Sequence, residues 1–164
     1  MTKAIFLDRD GVINQERKDY VKNIEEFIIF QNVSDAISLI KNHNFLVILI
    51  TNQSAVNRKL LTIENLDKIH KKLQNYLKIH NTSFDNVYFC PHIPQENCNC
   101  RKPKPGLIIQ AKNDFKIDLS QSFMIGDSQT DVQAAESAGC KGILLKQNQT
   151  LLELVVDLFE SEKI

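Results

Sequence analysis

Two aspartates stand two residues apart near the start of the chain, in Phe6-Leu7-Asp8-Arg9-Asp10-Gly11-Val12. A carboxylate can accept a phosphoryl group as a mixed anhydride that water later cleaves. A second carboxylate beside it can protonate the leaving oxygen and then activate the water. Asp and Gly also favour ordinary tight turns, so the pair alone leaves both readings open. Ile50-Thr51-Asn52-Gln53-Ser54 offers hydroxyls and amides of the kind that hold phosphate oxygens, and turns use the same residues. Arg101-Lys102-Pro103-Lys104-Pro105-Gly106 is basic. There Lys102 can neutralise charge on a transferring phosphoryl group, and Arg101 can grip a second anionic group in bidentate fashion. A solvated basic loop has the same composition. In Ile125-Gly126-Asp127-Ser128-Gln129-Thr130-Asp131, Asp127 is placed to ligate magnesium, which takes oxygen ligands. Asp131 can orient Lys102, support the metal shell or stabilise a helix N-terminus. Each segment has an unremarkable explanation; four of them carrying phosphate-transfer chemistry together point to an enzyme.

A second constellation is Cys90-x-His92 with Cys98-x-Cys100, three of the chain's four cysteines and an imidazole. In a reducing compartment such a cluster indicates metal before disulfide, and zinc takes a tetrahedral set of this kind in structural sites. Four protein ligands leave no open position, so the expected role is to order a polar loop and aim Arg101 and Lys102. Cys140 fits a small buried residue. His43, His70 and His80 are expected on polar, solvated helix faces.

These groups need a scaffold. Short apolar runs at Ala4–Leu7, Leu46–Ile50, Val87–Cys90, Phe123–Ile125 and Ile143–Leu145 suit strands buried on both faces of a parallel sheet. Helical patterns alternate with them. Thr62 caps a helix with an apolar face of Leu66, Ile69, Leu73, Tyr76 and Leu77. Pro105 sits in the first turn of another, carrying Leu107, Ile108, Ala111 and Phe115. A third runs from Gln129 to Ala138 with Gly139 as its stop, and Thr150 with Glu153 forms a capping box. The alternation predicts an α/β, doubly wound parallel sheet, whose ligands bind beyond the carboxyl ends of the strands.

The chain has 164 residues, 43% hydrophobic and 24% charged, which suits one domain over 1–164. Its formal net charge is zero, which argues against a nucleic-acid or membrane-surface partner. The longest apolar runs, such as Phe45–Ile50, are too short to cross a bilayer. The opening Met1-Thr2-Lys3-Ala4 lacks the apolar stretch of a signal peptide, so a cytoplasmic location is expected. No exposed apolar stripe is evident, so a monomer is expected. About thirty residues separate Gly11 from the second strand, with one helix near Val33 to Lys41, so no cap domain is expected.

The four motifs, in this order, resemble those of the haloacid-dehalogenase-like phosphatases over nearly the whole chain. The resemblance implies that Asp8 is the nucleophile and Asp10 the general acid/base, with Thr51 and Lys102 stabilising the phosphoryl group. It places magnesium on the Asp8 side chain, the Asp10 backbone carbonyl and Asp127. Asp8-Arg9-Asp10-Gly11-Val12-Ile13-Asn14, Thr51-Asn52-Gln53-Ser54, Cys90-Pro91-His92 and Cys98-Asn99-Cys100-Arg101-Lys102-Pro103 are most similar to the D-glycero-D-manno-heptose 1,7-bisphosphate phosphatases. Histidinol-phosphate phosphatases share the framework. The resemblance implies structural zinc on Cys90, His92, Cys98 and Cys100. It implies substrate contacts from Asn52, Gln53, Ser54 and Arg101, with the stretch from Arg17 to Tyr20 near the sugar. Ala55 and Lys59 stand where the heptose group commonly has Gly, Ser128 replaces a basic residue, and the short cysteine loop is more similar to the histidinol group. The chain ends at Ile164 without a fused dehydratase domain, which favours the heptose reading. Hydrolysis of the C7 phosphate of a heptose bisphosphate is thus the first expectation and histidinol phosphate the second. A non-catalytic, zinc-stabilised binding module is the third; it would have no need of the complete Asp8, Asp10, Lys102 and Asp127 set.

Overall fold

The computed structural model describes residues 2–161; Met1 and residues 162–164, the two ends of the expected 1–164 domain, lie outside them. Five strands form one parallel sheet: β1 (Lys3–Leu7), β2 (Phe45–Asn52), β3 (Asn86–Cys90), β4 (Phe123–Gly126) and β5 (Lys141–Leu144), in the order β3-β2-β1-β4-β5. Five helices accompany them: α1 (Val33–Asn42), α2 (Ile63–Ile79), α3 (Gly106–Phe115), α4 (Gln129–Ala138) and α5 (Leu151–Glu160).

Strand alternation divides the core into two layers. Ile5 and Leu7 of β1, with Val47 and Leu49 of β2, face α1, α2 and α5. Ala4, Phe6, Ile48 and Ile50 face α3 and α4. The central strands are therefore apolar on both faces, as their continuous runs predict. The edge strand β5 differs: it runs Lys141–Leu144 rather than Ile143–Leu145 and is only partly covered, because it pairs on one side alone. Strand β2 runs two residues past its apolar segment, pairing Thr51 with Phe89 and Asn52 with Cys90.

The helix ends follow local chemistry. The Thr62 hydroxyl accepts the Asn65 N–H, and Thr150 and Glu153 close a capping box. Gly139 ends α4 at φ +94°, a conformation open to glycine. Pro105 stands one residue ahead of α3 rather than inside its first turn.

Strand order decides where chemistry can occur. The chain winds outward through β1, β2 and β3, then returns to the other side of β1 as β4. That reversal opens a crevice beyond the carboxyl ends of β1, β2 and β4. All four sequence motifs leave the sheet at or beside that end.

Candidate active site

Asp8 follows β1, and its backbone N–H donates to Ile125 O of β4 at 3.0 Å. Beyond it the chain turns tightly around the Arg9 carbonyl, which accepts the N–H groups of Val12, Ile13 and Asn14. Gly11 holds φ +84°, and a Cβ there would drive into the Asp127 carboxylate. The glycine thus lets the Asp8 loop lie directly against the loop after β4. A cleft of about 540 Å³ results, lined by Asp8, Asp10, Asn52, Arg101, Lys102 and Asp127, among others.

Lys102 lies at its floor, 3% exposed. Its Nζ donates to Asp8 Oδ1 at 2.7 Å and to the Ile50 carbonyl at 2.9 Å, and pairs with Asp131 Oδ1 at 2.6 Å. Burial works against its charge, but the Asp8 and Asp131 carboxylates outweigh that and raise its pKa. Asp8 moves the other way. Burial pushes it up to about 7, helped by Asp131 and Asp10 and opposed by Lys102. Burial, then the Asp131 and Glu16 carboxylates, lift Asp127 to about 6. Carboxylates that cannot easily ionise unaided are what a cation site supplies. Asp8, Asp127 and Asp131 each present an oxygen within 4.8 Å of the others. This oxygen-rich set fits a hard divalent ion such as magnesium.

Asp10 is held quite differently. Its Oδ1 accepts Arg9 Nη2 at 3.0 Å and Asn14 Nδ2 at 2.9 Å, and its Oδ2 accepts Gln53 Nε2 at 2.9 Å. Burial acts to raise its pKa, but the Arg9 charge and these hydrogen bonds win and lower it.

The strand-end motif after β2 divides its labour. Thr51 is fully buried and its hydroxyl accepts from Gln53 Nε2 at 2.8 Å. Gln53 is itself buried, bonded to Asp10, Thr51 and Arg9. Asn52 clasps the Lys102 peptide: its Oδ1 accepts the Lys102 N–H at 3.1 Å and its Nδ2 donates to the Lys102 carbonyl at 3.2 Å. Both amides have protein partners, and both residues also line the cleft. Ser54 lines the cleft with Tyr20, over whose ring the Arg58 guanidinium sits at 5.9 Å. Arg101 lines it too, its Nη1 donating to the His92 carbonyl at 3.2 Å.

The cysteine loop sits beside the cleft. Cys100 Sγ lies 3.1 Å from Cys90 Sγ, 3.5 Å from Cys98 Sγ and 3.2 Å from His92 Nδ1. These separations approach the edges of a zinc tetrahedron, roughly 3.6–3.8 Å from zinc–ligand bond lengths. Gly106 lets α3 begin against this loop, since a Cβ there would strike the Asn99 backbone. Cys140 is buried apart from the cluster, as expected.

Two residues of the site went unforeseen. Arg9 is 1% exposed and binds Asp10 and Gln53. It lies past the end of β1, in the turn closed on its own carbonyl, so no strand or helix periodicity marked it as buried. His70 is half-buried rather than solvated, and burial, then the Arg9 charge, lower its pKa to about 4. Leu66, His70, Leu73 and Leu77 follow the i, i+4, i+7, i+11 stripe of a buried helix face, which would have placed it. His43 and His80 are exposed.

Similarity to known proteins agrees with this geometry. Residues 99–158 match the HAD-hydrolase-like family model. The D-glycero-beta-D-manno-heptose-1,7-bisphosphate 7-phosphatase of Helicobacter pylori is 44% identical over 148 residues, covering 89% of this chain and 85% of the relative. The protein of that name from Neisseria meningitidis is 40% identical over 143 residues, covering 87% and 76%. The crystal structure of D,D-heptose 1,7-bisphosphate phosphatase from B. bronchiseptica, complexed with magnesium and phosphate, is 32% identical. It superposes with a TM-score of 0.89 over 98% of this chain and 99% of that one. With identities of this size across most of both chains, the chain belongs to the heptose-1,7-bisphosphate 7-phosphatase family of HAD-like hydrolases.

Proposed function

We propose that this chain hydrolyses the C7 phosphate of D-glycero-beta-D-manno-heptose 1,7-bisphosphate through a phosphorylated Asp8. The observation that carries the reading is the Asp8–Lys102–Asp131 chain at the cleft floor, with Lys102 Nζ within 2.7 Å of both carboxylates. An Asp8 oxygen attacks phosphorus and the bond from phosphorus to the C7 oxygen breaks; Asp10, whose pKa is lowered in the free protein, takes up a proton when the phosphate's negative charge arrives beside it and passes that proton to the C7 oxygen. Water then attacks the acyl phosphate, Asp10 takes a proton from it, and the bond from phosphorus to Asp8 breaks. Lys102 balances the charge that gathers on the phosphoryl oxygens. Thr51, which the family resemblance assigns to the same oxygens, reaches the site through Gln53, whose Nε2 donates to its hydroxyl. Magnesium, held by Asp8, the Asp10 carbonyl and Asp127, would supply charge neutralisation at the phosphate when bound. Zinc on Cys90, His92, Cys98 and Cys100 would fasten the loop that presents Arg101 and Lys102.

The rim supports a bisphosphate over histidinol phosphate. Arg17, Lys18, Arg58 and Arg101 line the cleft with a single glutamate, Glu16, beside them, and Lys18, Arg58 and Arg101 are in no ion pair among the described residues. Such a rim attracts a second phosphate and repels an ammonium group. Phosphate release with magnesium from the two substrates tests this, with Asp8→Asn as control. A preference for the heptose that vanishes in the variant is expected. Preference for histidinol phosphate would overturn the substrate, and an active Asp8→Asn would overturn the nucleophile.

A further inference from the structure

Arg9 raises a question that the reaction scheme leaves open. Its guanidinium is buried, 5.4 Å from the Phe27 ring, and its Nε has no partner among the described residues. Desolvating a guanidinium is costly, and a well-packed apolar side chain of similar size would often serve the fold as well. The turn does not need the charge either, because it is the Arg9 carbonyl that accepts the three N–H groups closing the loop. The side chain is instead spread across three polar neighbours. Nη2 donates to Asp10 Oδ1 at 3.0 Å and to Gln53 Oε1 at 3.2 Å, and Nη1 lies 3.4 Å from His70 Nε2. Gln53 in turn donates to the other oxygen of Asp10. Both oxygens of that carboxylate are thereby gripped from one buried bracket, and α2 supplies its far end through His70.

We infer that Arg9 is a positioning residue: braced by Gln53 and His70, it fixes the Asp10 carboxylate where it exchanges a proton with the leaving oxygen and with water. This rests on the reading of Asp10 as the acid/base group. A guanidinium suits the task because its planar fork reaches separate partners at once, which a single ammonium cannot. Proton transfer depends on such placement, since a displaced acid or base loses most of its contribution.

The test is a double-mutant cycle with heptose 1,7-bisphosphate, using Arg9→Met, Asp10→Asn and the pair. Arg9→Met should lower kcat on the order of a hundredfold with KM little changed, and should add almost nothing in the Asp10→Asn background. Arg9→Lys should recover part of the loss. Gln53→Leu, gripping from the other side, should show the same dependence on Asp10 and carries the test if Arg9→Met does not fold. Multiplicative losses, or a rise in KM alone, would overturn the inference. An unaltered kcat in Asp10→Asn would overturn the acid/base reading itself, a distinct result. A crystal structure of Arg9→Lys or Gln53→Leu reads the Asp10 rotamer without any substrate, and an unmoved carboxylate in both would also overturn it.

Discussion

Replacing Asn52 with alanine separates two roles that its position allows. Its amide makes two hydrogen bonds to the Lys102 peptide, at 3.1 Å and 3.2 Å. A hydrogen bond of this type contributes about 0.5–1.5 kcal/mol net, so the clasp as a whole is worth about 1–3 kcal/mol. Asn52 is partly exposed, so water can reach the freed groups and the lower half of that range applies. If the clasp serves to place Lys102, the loss falls on the transition state, where about 1.4 kcal/mol is a factor of ten. The expected outcome for Asn52→Ala is therefore a fall in kcat of roughly tenfold, with KM within about twofold of wild type. Unfolding in urea should show a loss of about 1 kcal/mol at unchanged m-value. Steady-state kinetics on the purified variant decide the matter. A several-fold higher KM with unchanged kcat would refute the clasp and return Asn52 to direct substrate binding.

Further outcomes follow from the same geometry. Gly11→Ala forces a Cβ into the Asp127 carboxylate at a backbone φ of +84°. It should cost about 1–2 kcal/mol from the backbone alone and weaken magnesium binding measured by calorimetry; unchanged affinity would refute the contact. Asp8 and Asp127 have pKa values raised from 3.8 to about 7 and about 6. In the metal-free protein they hold protons more tightly than in the unfolded chain, so the stability they lend is present at acidic pH and is lost as pH climbs from about 4 through about 7. Magnesium must displace those protons. The rise in Tm on adding magnesium should therefore grow between pH 5.5 and pH 7.5, and a constant increment would count against the assignment. Cys98→Ser removes one donor of four, so bound zinc measured by elemental analysis should fall from one per chain and kcat should drop several-fold. Full activity in a zinc-free chain would remove the loop's proposed role.

The sequence announced what is local. Helix caps at Thr62, at Thr150 with Glu153 and at Gly139 are settled within a few residues of themselves, because a cap satisfies the backbone groups of its own turn. Buried strands showed as apolar runs because the sheet is covered on both faces, and the exception, β5, is an edge. Donor types were equally plain: carboxylates at Asp8, Asp10 and Asp127, and thiolates with an imidazole at Cys90, His92, Cys98 and Cys100. Partnership was not plain, because it depends on which strand lies next to which. The order β3-β2-β1-β4-β5 brings Lys102 to Asp8 across 94 positions of chain. It also gives Asn52 and Gln53, which line the cleft, protein partners in the Lys102 peptide and Asp10. Arg9 and His70 make the same point from the opposite side. One looks like a spacer and the other like a solvated histidine until the fold brings His70 of α2 to the Arg9 guanidinium. A side chain's type fixes what it can donate or accept, but only packing fixes which partner it meets and whether water competes for it.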